Sequence, residues 1–205
     1  MNNELEQQSV PQTKEDKGGF LFDALEMFVW SLAILLVLFT FVLRICRVEG
    51  ASMENTLFDG ENLLLYSLFY EPQQDDIIVF HLTGEDSNLE KILVKRVIAT
   101  GGQTVKIDFK NNTITVDGEI YEDAHAVLKN SADVIIEQYI NFRPDWNYDP
   151  QTDTMTATGP EGHLFVLGDN RNFSRDSRDS GIMFVDERCV LGKVIVRISP
   201  FTVFS

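Results

Sequence analysis

The chain has 205 residues, 44% apolar and 24% charged, with 13 Gly and 6 Pro, which allows a packed core and excludes wholesale disorder, collagen-like repeats and long repeat arrays. Its formal charge of −15 repels phosphate backbones at long range, so nucleic acid is not an expected partner. Two cysteines, Cys46 and Cys189, are too few for a disulfide framework or a four-Cys zinc site.

The first residues are polar and aperiodic, include the pairs Gln7-Gln8 and Gly18-Gly19, and with the acidic stretch up to Glu26 read as an N-terminal tail over 1–26. From Phe28 to Leu43 the run FVWSLAILLVLFTFVL carries no charge. With its flanks it gives a transmembrane anchor over 27–47, roughly 30 Å of helix at ~1.5 Å per residue if Arg44 snorkels. A buried core helix needs one apolar stripe, whereas this run is apolar on every side. The following LRICRVEGAS has no small-x-small cleavage site and the preceding segment is acidic, so the run reads as a retained anchor and not as a cleaved signal peptide. Lys14 and Lys17 lie before it and Arg44 and Arg47 after it; the positive-inside rule is tied, and charge does not orient the chain.

Beyond residue 48 the texture changes to short runs rich in β-branched and aromatic residues. They cover Leu63–Tyr66, Ile77–Phe80, Ile92–Ala99, Thr104–Phe109, Thr113–Val116, Leu164–Leu167 and Val190–Ile198, with Asn111-Asn112 and Asp117-Gly118 placed as hairpin turns. A mainly β, antiparallel domain over 48–205 is expected. Residues 122–160 interrupt the rhythm and read as a variable insertion: a solvated connection with a short helix or strand, with a cap bearing on substrate contact as the alternative.

Three constellations carry candidate chemistry. Val48 to Leu57 places Ser52 in a turn of small residues, where a backbone N–H can approach a developing oxyanion unobstructed. On its own, a Ser beside Gly is ordinary turn chemistry. In Leu93 to Ala99, strand alternation puts Lys95 on the side of Leu93 and Val97, hence inward. Desolvation lowers the pKa of an inward Lys, and a neutral amine can take the proton of a Ser hydroxyl. The third constellation, Gly168 to Arg178, packs Asp, Asn, Ser and Arg behind an apolar strand, the raw material for bidentate Arg–carboxylate pairs or for a plain solvated loop.

Together the three segments resemble the bacterial type I signal peptidases, membrane-anchored serine proteases that use a Ser/Lys dyad. The resemblance covers about 48–121 and 163–200, in the expected order behind an N-terminal anchor. Ser52-Met53-Glu54-Asn55-Thr56-Leu57 matches the family's nucleophile box with Asn55 in place of Pro. Lys95-Arg96 matches its general-base box, and Gly168 through Arg178 matches Gly-Asp-Asn-Arg-x-x-Ser-x-Asp-Ser-Arg at every fixed position. Asp75 replaces the Gly of a Gly-Asp-x-Val-x-Phe strand, and Ala99 to Gln103 replaces a Gly-x-Pro-Gly-Asp turn.

The resemblance implies an antiparallel β-sheet catalytic domain of the signal-peptidase type after one transmembrane helix. It makes Ser52 the nucleophile and Lys95 the general base, with Ser174 orienting the Lys amine and the Ser52 N–H forming the oxyanion hole. Gly50 stands where some relatives place a hydroxyl donor, and Asp176 and Arg178 form a supporting ion pair. Signal peptides of exported preproteins and the lipid bilayer are the implied partners, with no cofactor and no metal. The N-terminus would be cytoplasmic and the catalytic domain extracytoplasmic, on a single-pass membrane protein.

Two other readings stay open. The departures at Asn55, Asp75 and 99–103 motivate a non-catalytic anchored β-domain acting in binding or assembly. A sortase-type transpeptidase would draw on Cys189, His125 or His163, and Arg197, but Glu187-Arg188-Cys189-Val190 lacks that family's Thr-Leu-x-Thr-Cys context.

Overall fold

The computed structural model describes residues 17–82, 91–122, 124–126, 147–179 and 181–204. Two units follow one another, one ending at Thr40 and one beginning at Phe41. The first is helix α1, Lys17–Val37, followed by a π-turn over Leu38–Val42. Gly19–Thr40 is long and apolar enough to cross a membrane, with a mean hydropathy of 2.1, and none of it is buried. Helix α1 already includes residues 17–26, which the sequence assigned to the tail; Asp23 and Glu26 are tolerated in a helix. The far boundary also moves: Leu43–Arg47, assigned from sequence to the end of the anchor, is strand β1. It pairs along its whole length with β2, Asn62–Tyr66, which satisfies the backbone groups that a helix would have satisfied internally.

The second unit is antiparallel β. Its larger sheet runs β1, β2, β12 (Val190–Arg197), β3 (Ile77–Leu82), β4 (Lys91–Ala99), β10 (His163–Leu167) and β11 (Phe184–Asp186), with β13 (Thr202–Val203) also on β12. The smaller sheet runs β7 (Glu119–Tyr121), β6 (Thr113–Val116), β5 (Thr104–Asp108), β9 (Thr154–Thr158) and β8 (Asn147–Asp149). The hairpin chemistry is where the sequence placed it: Asn112, Asp117 and Gly118 all have positive φ, the left-handed conformation that Asn, Asp and Gly tolerate best.

The expected insertion over 122–160 requires correction at its end. Residues 147–158 form the β8–β9 hairpin, and β9 pairs in full with β5. Thr154, Met155 and Ala157 are buried; two of the three are small or polar, which hides the strand from a hydropathy reading. The stretch Ala132–Glu137 lies outside the described residues.

Three apolar clusters hold the domain. One joins Ile98, Phe165 and Leu167 of the large sheet to Val105, Ile107, Ile114 and Met155 of the small one. A second packs Met53 and Leu57 against Leu63, Leu65, Ile77, Val79 and Val194, so the turn around Ser52 is seated on the sheet by its own apolar side chains. The third, with Ile78, Phe80, Val97 and Leu164, covers the middle of the large sheet. A single cross-strand row links Leu43, Tyr66, Lys193, Ile78 and Lys95.

Candidate active site

Strand β4 lies between β3 and β10, and its residues from Lys95 to Ala99 are all buried. Lys95 is only 2% exposed. Its Nζ donates to Ser52 Oγ at 2.6 Å and to the Val94 carbonyl at 2.9 Å. Burial strips water from the ammonium and pushes its pKa down from 10.5 to about 8; Asp176 and Asp169 pull it back up, Arg178 pushes it down, and burial dominates. At neutral pH a useful fraction of the amine is therefore uncharged and able to accept a proton.

Ser52 sits in a turn that has no ladder of its own. Gly50, at φ +87, donates its N–H to Asp59 Oδ1 at 2.8 Å. Leu57 N–H closes back onto the Met53 carbonyl at 2.8 Å. The Ser52 N–H has no hydrogen-bond partner among the described residues, so it remains available to an oxyanion. Asn55 has φ +96, a conformation closed to proline, whose ring fixes φ near −65°. Asp75 likewise holds a left-handed φ of +73, and its carboxylate accepts the Tyr121 hydroxyl. Both departures from the family pattern thus fall on left-handed backbone that Asn and Asp can occupy.

The loop 168–178 grips this turn. Asn170 N–H donates to the Ser52 carbonyl at 3.1 Å, and Asn170 Nδ2 to the Ala51 carbonyl at 3.0 Å. Gly168 lies directly against the turn: a Cβ there would collide with the Ser52 carbonyl and with Ser174 Oγ, so only glycine fits. Asp169 Oδ2 accepts the Thr56 hydroxyl while both its oxygens take a bidentate grip from Arg96, at 2.9 Å from Nε and 2.7 Å from Nη2. Asp176 and Arg178 form a second bidentate pair, at 2.8 and 2.9 Å, and Asp176 also accepts the Gly168 N–H at 3.0 Å. Burial alone would raise the Asp176 carboxyl; the adjacent Arg178 guanidinium, together with Ser174 and the Gly168 N–H, outweighs it and holds the group below its usual range.

Ser52, Lys95, Gly50, Ser174, Asp176 and Arg178 therefore converge on one region, with two qualifications. Gly50 offers no side chain and its N–H is taken by Asp59. Ser174 is buried but makes no hydrogen bond to Lys95, whose partners are Ser52 and Val94. What the sequence reading left without a role is the buried pair Arg96–Asp169. Strand alternation places Arg96 opposite Lys95, and the available signal was that a strand flanked on both edges and covered on both faces buries both residues.

A Ser hydroxyl touching a buried amine of lowered pKa, beside a free N–H on an antiparallel β scaffold, is an arrangement suited to acyl transfer by a serine hydrolase. A model of the family described as signal peptidase, peptidase S26, matches residues 21–199. Signal peptidase IB of Staphylococcus aureus is 31% identical over 180 residues, covering 85% of this chain and 87% of that protein. Probable signal peptidase I-1 of Synechocystis sp. is 30% identical over 188 residues, covering 88% of this chain and 84% of that protein. A crystal structure of a signal peptidase I from Enterococcus faecalis V583 is 30% identical and covers 61% of this chain and 97% of its own, at a TM-score of 0.38. On the two sequence matches and the family model, the chain belongs to the signal peptidase family, peptidase S26.

Proposed function

We propose that this protein removes signal peptides from exported preproteins, with Ser52 as nucleophile and Lys95 as general base. The observation that carries the reading is the 2.6 Å contact between Ser52 Oγ and a Lys95 amine that is 2% exposed. Neutral Lys95 accepts the Ser52 proton as Oγ attacks the scissile carbonyl, and the Ser52 N–H stabilises the oxyanion. The resulting ammonium then protonates the departing amine of the mature protein. Water, deprotonated in turn by Lys95, attacks the Ser52 ester and releases the signal peptide with a new carboxylate.

Asp176, Arg178 and Gly50 support the site: the ion pair holds Gly168 through its N–H, and Gly50 gives the turn its left-handed start. The apolar helix serves as a single-pass anchor, with the N-terminus cytoplasmic and the catalytic domain on the outer face, where the cleavage site of an exported chain emerges. Arg197, raw material for a transpeptidase, is committed to Thr56, Glu61, Pro200 and Thr202, none of them Cys or His. The test is incubation of the full chain, in lipid or detergent, with a preprotein. Wild type should cut it after a small residue and Ser52→Ala should not; equal cleavage by Ser52→Ala sinks the mechanism.

A further inference from the structure

A second hold on the nucleophile turn comes from the far end of the chain. Arg197, the last residue of β12, has a side chain only 14% exposed. Its Nη1 donates to the Thr56 carbonyl at 3.0 Å and to the Glu61 carboxylate at 3.3 and 3.4 Å. Its Nη2 donates to Thr202 Oγ1 at 2.7 Å, and its Nε to the Pro200 carbonyl at 3.0 Å. Thr56 is thereby held at its hydroxyl by Asp169 and at its carbonyl by Arg197. From Thr56 the turn closes back onto Met53, through the Thr56 N–H at 3.0 Å and the Leu57 N–H at 2.8 Å, next to Ser52.

We propose that Arg197 is a positioning residue for the Ser52–Lys95 reaction. By tying Thr56 and Glu61 to the β12–β13 hairpin, it fixes the trailing end of the Ser52 turn to the same sheet that carries Lys95. The guanidinium suits this task because its planar fork addresses three separate stretches of chain at once, which an ammonium on a flexible stem does not. The proposal rests on the reading of Ser52 and Lys95 given above. Its physical content is that a misplacement on the order of 1 Å at a reacting atom costs about 10²-fold in rate.

The test compares the pH dependence of kcat for preprotein cleavage in wild type, Arg197→Gln, Arg197→Lys and Thr202→Val. In Arg197→Gln, kcat should fall about ten- to hundred-fold with KM unchanged. The rising alkaline limb should also move to higher pH, because a loosened turn lets water reach the Lys95 amine and returns it toward its ordinary value. The charged groups that face the amine, Asp176, Asp169 and Arg178, are unchanged by the substitution. Arg197→Lys should recover only part of the rate. Thr202→Val, which removes one acceptor and no charge, should shift both quantities the same way by less, and it carries the test if Arg197→Gln does not fold.

The position of the limb belongs to the folded enzyme, so a purely structural role does not move it. An unchanged rate, or a loss that only follows the folded fraction with the limb in its wild-type place, overturns the proposal. Cleavage that persists in Ser52→Ala overturns the reading beneath it, and the proposal with it.

Discussion

Strand β4 carries Lys95 on regular backbone, paired residue by residue with β3 from Ile77–Arg96 to Leu82–Lys91 and with β10 on its other side. The turn from Gly50 to Glu61 carries Ser52 with no sheet pairing and is held instead by side chains of residues far along the chain: Asp169, Asn170 and Arg197. The contrast divides the labour of the site. The base is placed by the ladder, which tolerates any side chain the core accepts, while the nucleophile is placed by a small set of polar groups that few other residues can replace.

The largest effect should come from the side chain that the ladder presents. Lys95→Arg keeps the positive charge and approximate length, but guanidinium does not deprotonate in this pH range, so cleavage should fall by the whole general-base contribution, roughly 10²–10⁴-fold or more. Lys95→Met should be equally inactive and remain folded, since β4 keeps its pairing whatever head group it carries. Substantial cleavage of a preprotein by either folded variant would remove Lys95 from the mechanism. It would also leave the short contact with Ser52 without a chemical purpose.

The contrast also explains what the sequence made legible. Most strands of the large sheet could be read from their β-branched runs, and the inward direction of Lys95 from simple alternation. Strand β1 was hidden because Leu43, Ile45 and Cys46 prolong the apolar run of the helix past a single Arg, and β9 because Thr and Ala are buried there in place of larger side chains. Ser52 could be found through the motif around it, but its supports could not. The contacts of Thr56 with Asp169 and with Arg197 join residues 113 and 141 positions apart, and no local period encodes them. Arg96, next to Lys95, read as the outward neighbour of an inward residue; only the two-sided burial of β4 turns it inward as well.

The two buried ion pairs sharpen the comparison, because one holds the nucleophile turn directly and the other stands behind it. Removing one partner of a buried pair strands the other charge, so Asp169→Ala and Asp176→Ala should each lower stability by roughly 3–5 kcal/mol in chemical denaturation. Their kinetics should differ. Asp169→Ala releases Thr56 and should lower kcat per folded molecule. Both variants remove a carboxylate that favours the Lys95 ammonium, so the alkaline limb should move to lower pH in each, further in Asp176→Ala, and only Asp169→Ala should also lower the alkaline plateau of kcat. Profiles that keep the wild-type limb and plateau in both variants would mean that the pairs act on stability alone.

The smallest effect is thermodynamic and comes from the base itself. The pKa of Lys95 is about 8 in the folded chain against an ordinary 10.5, so between these values the unfolded chain keeps a proton that the folded chain has released. Stability therefore rises with pH across that window, and the full difference is about 3 kcal/mol at ~1.4 kcal/mol per pH unit. Other groups oppose it at the upper end, Cys46 and Tyr70 among them. Burial raises the Cys46 thiol from 9.0 to about 11, and burial together with Asp76 raises the Tyr70 hydroxyl, so both favour unfolding once the unfolded chain ionises them. They are common to wild type and Lys95→Met, and the difference between the two proteins isolates Lys95. Urea denaturation from pH 7 to 10 should show Lys95→Met more stable than wild type at pH 7, with the gap closing as pH rises. A gap that stays constant across this range would mean that the amine titrates alike in the folded and unfolded chain, and that burial does not tune it for catalysis.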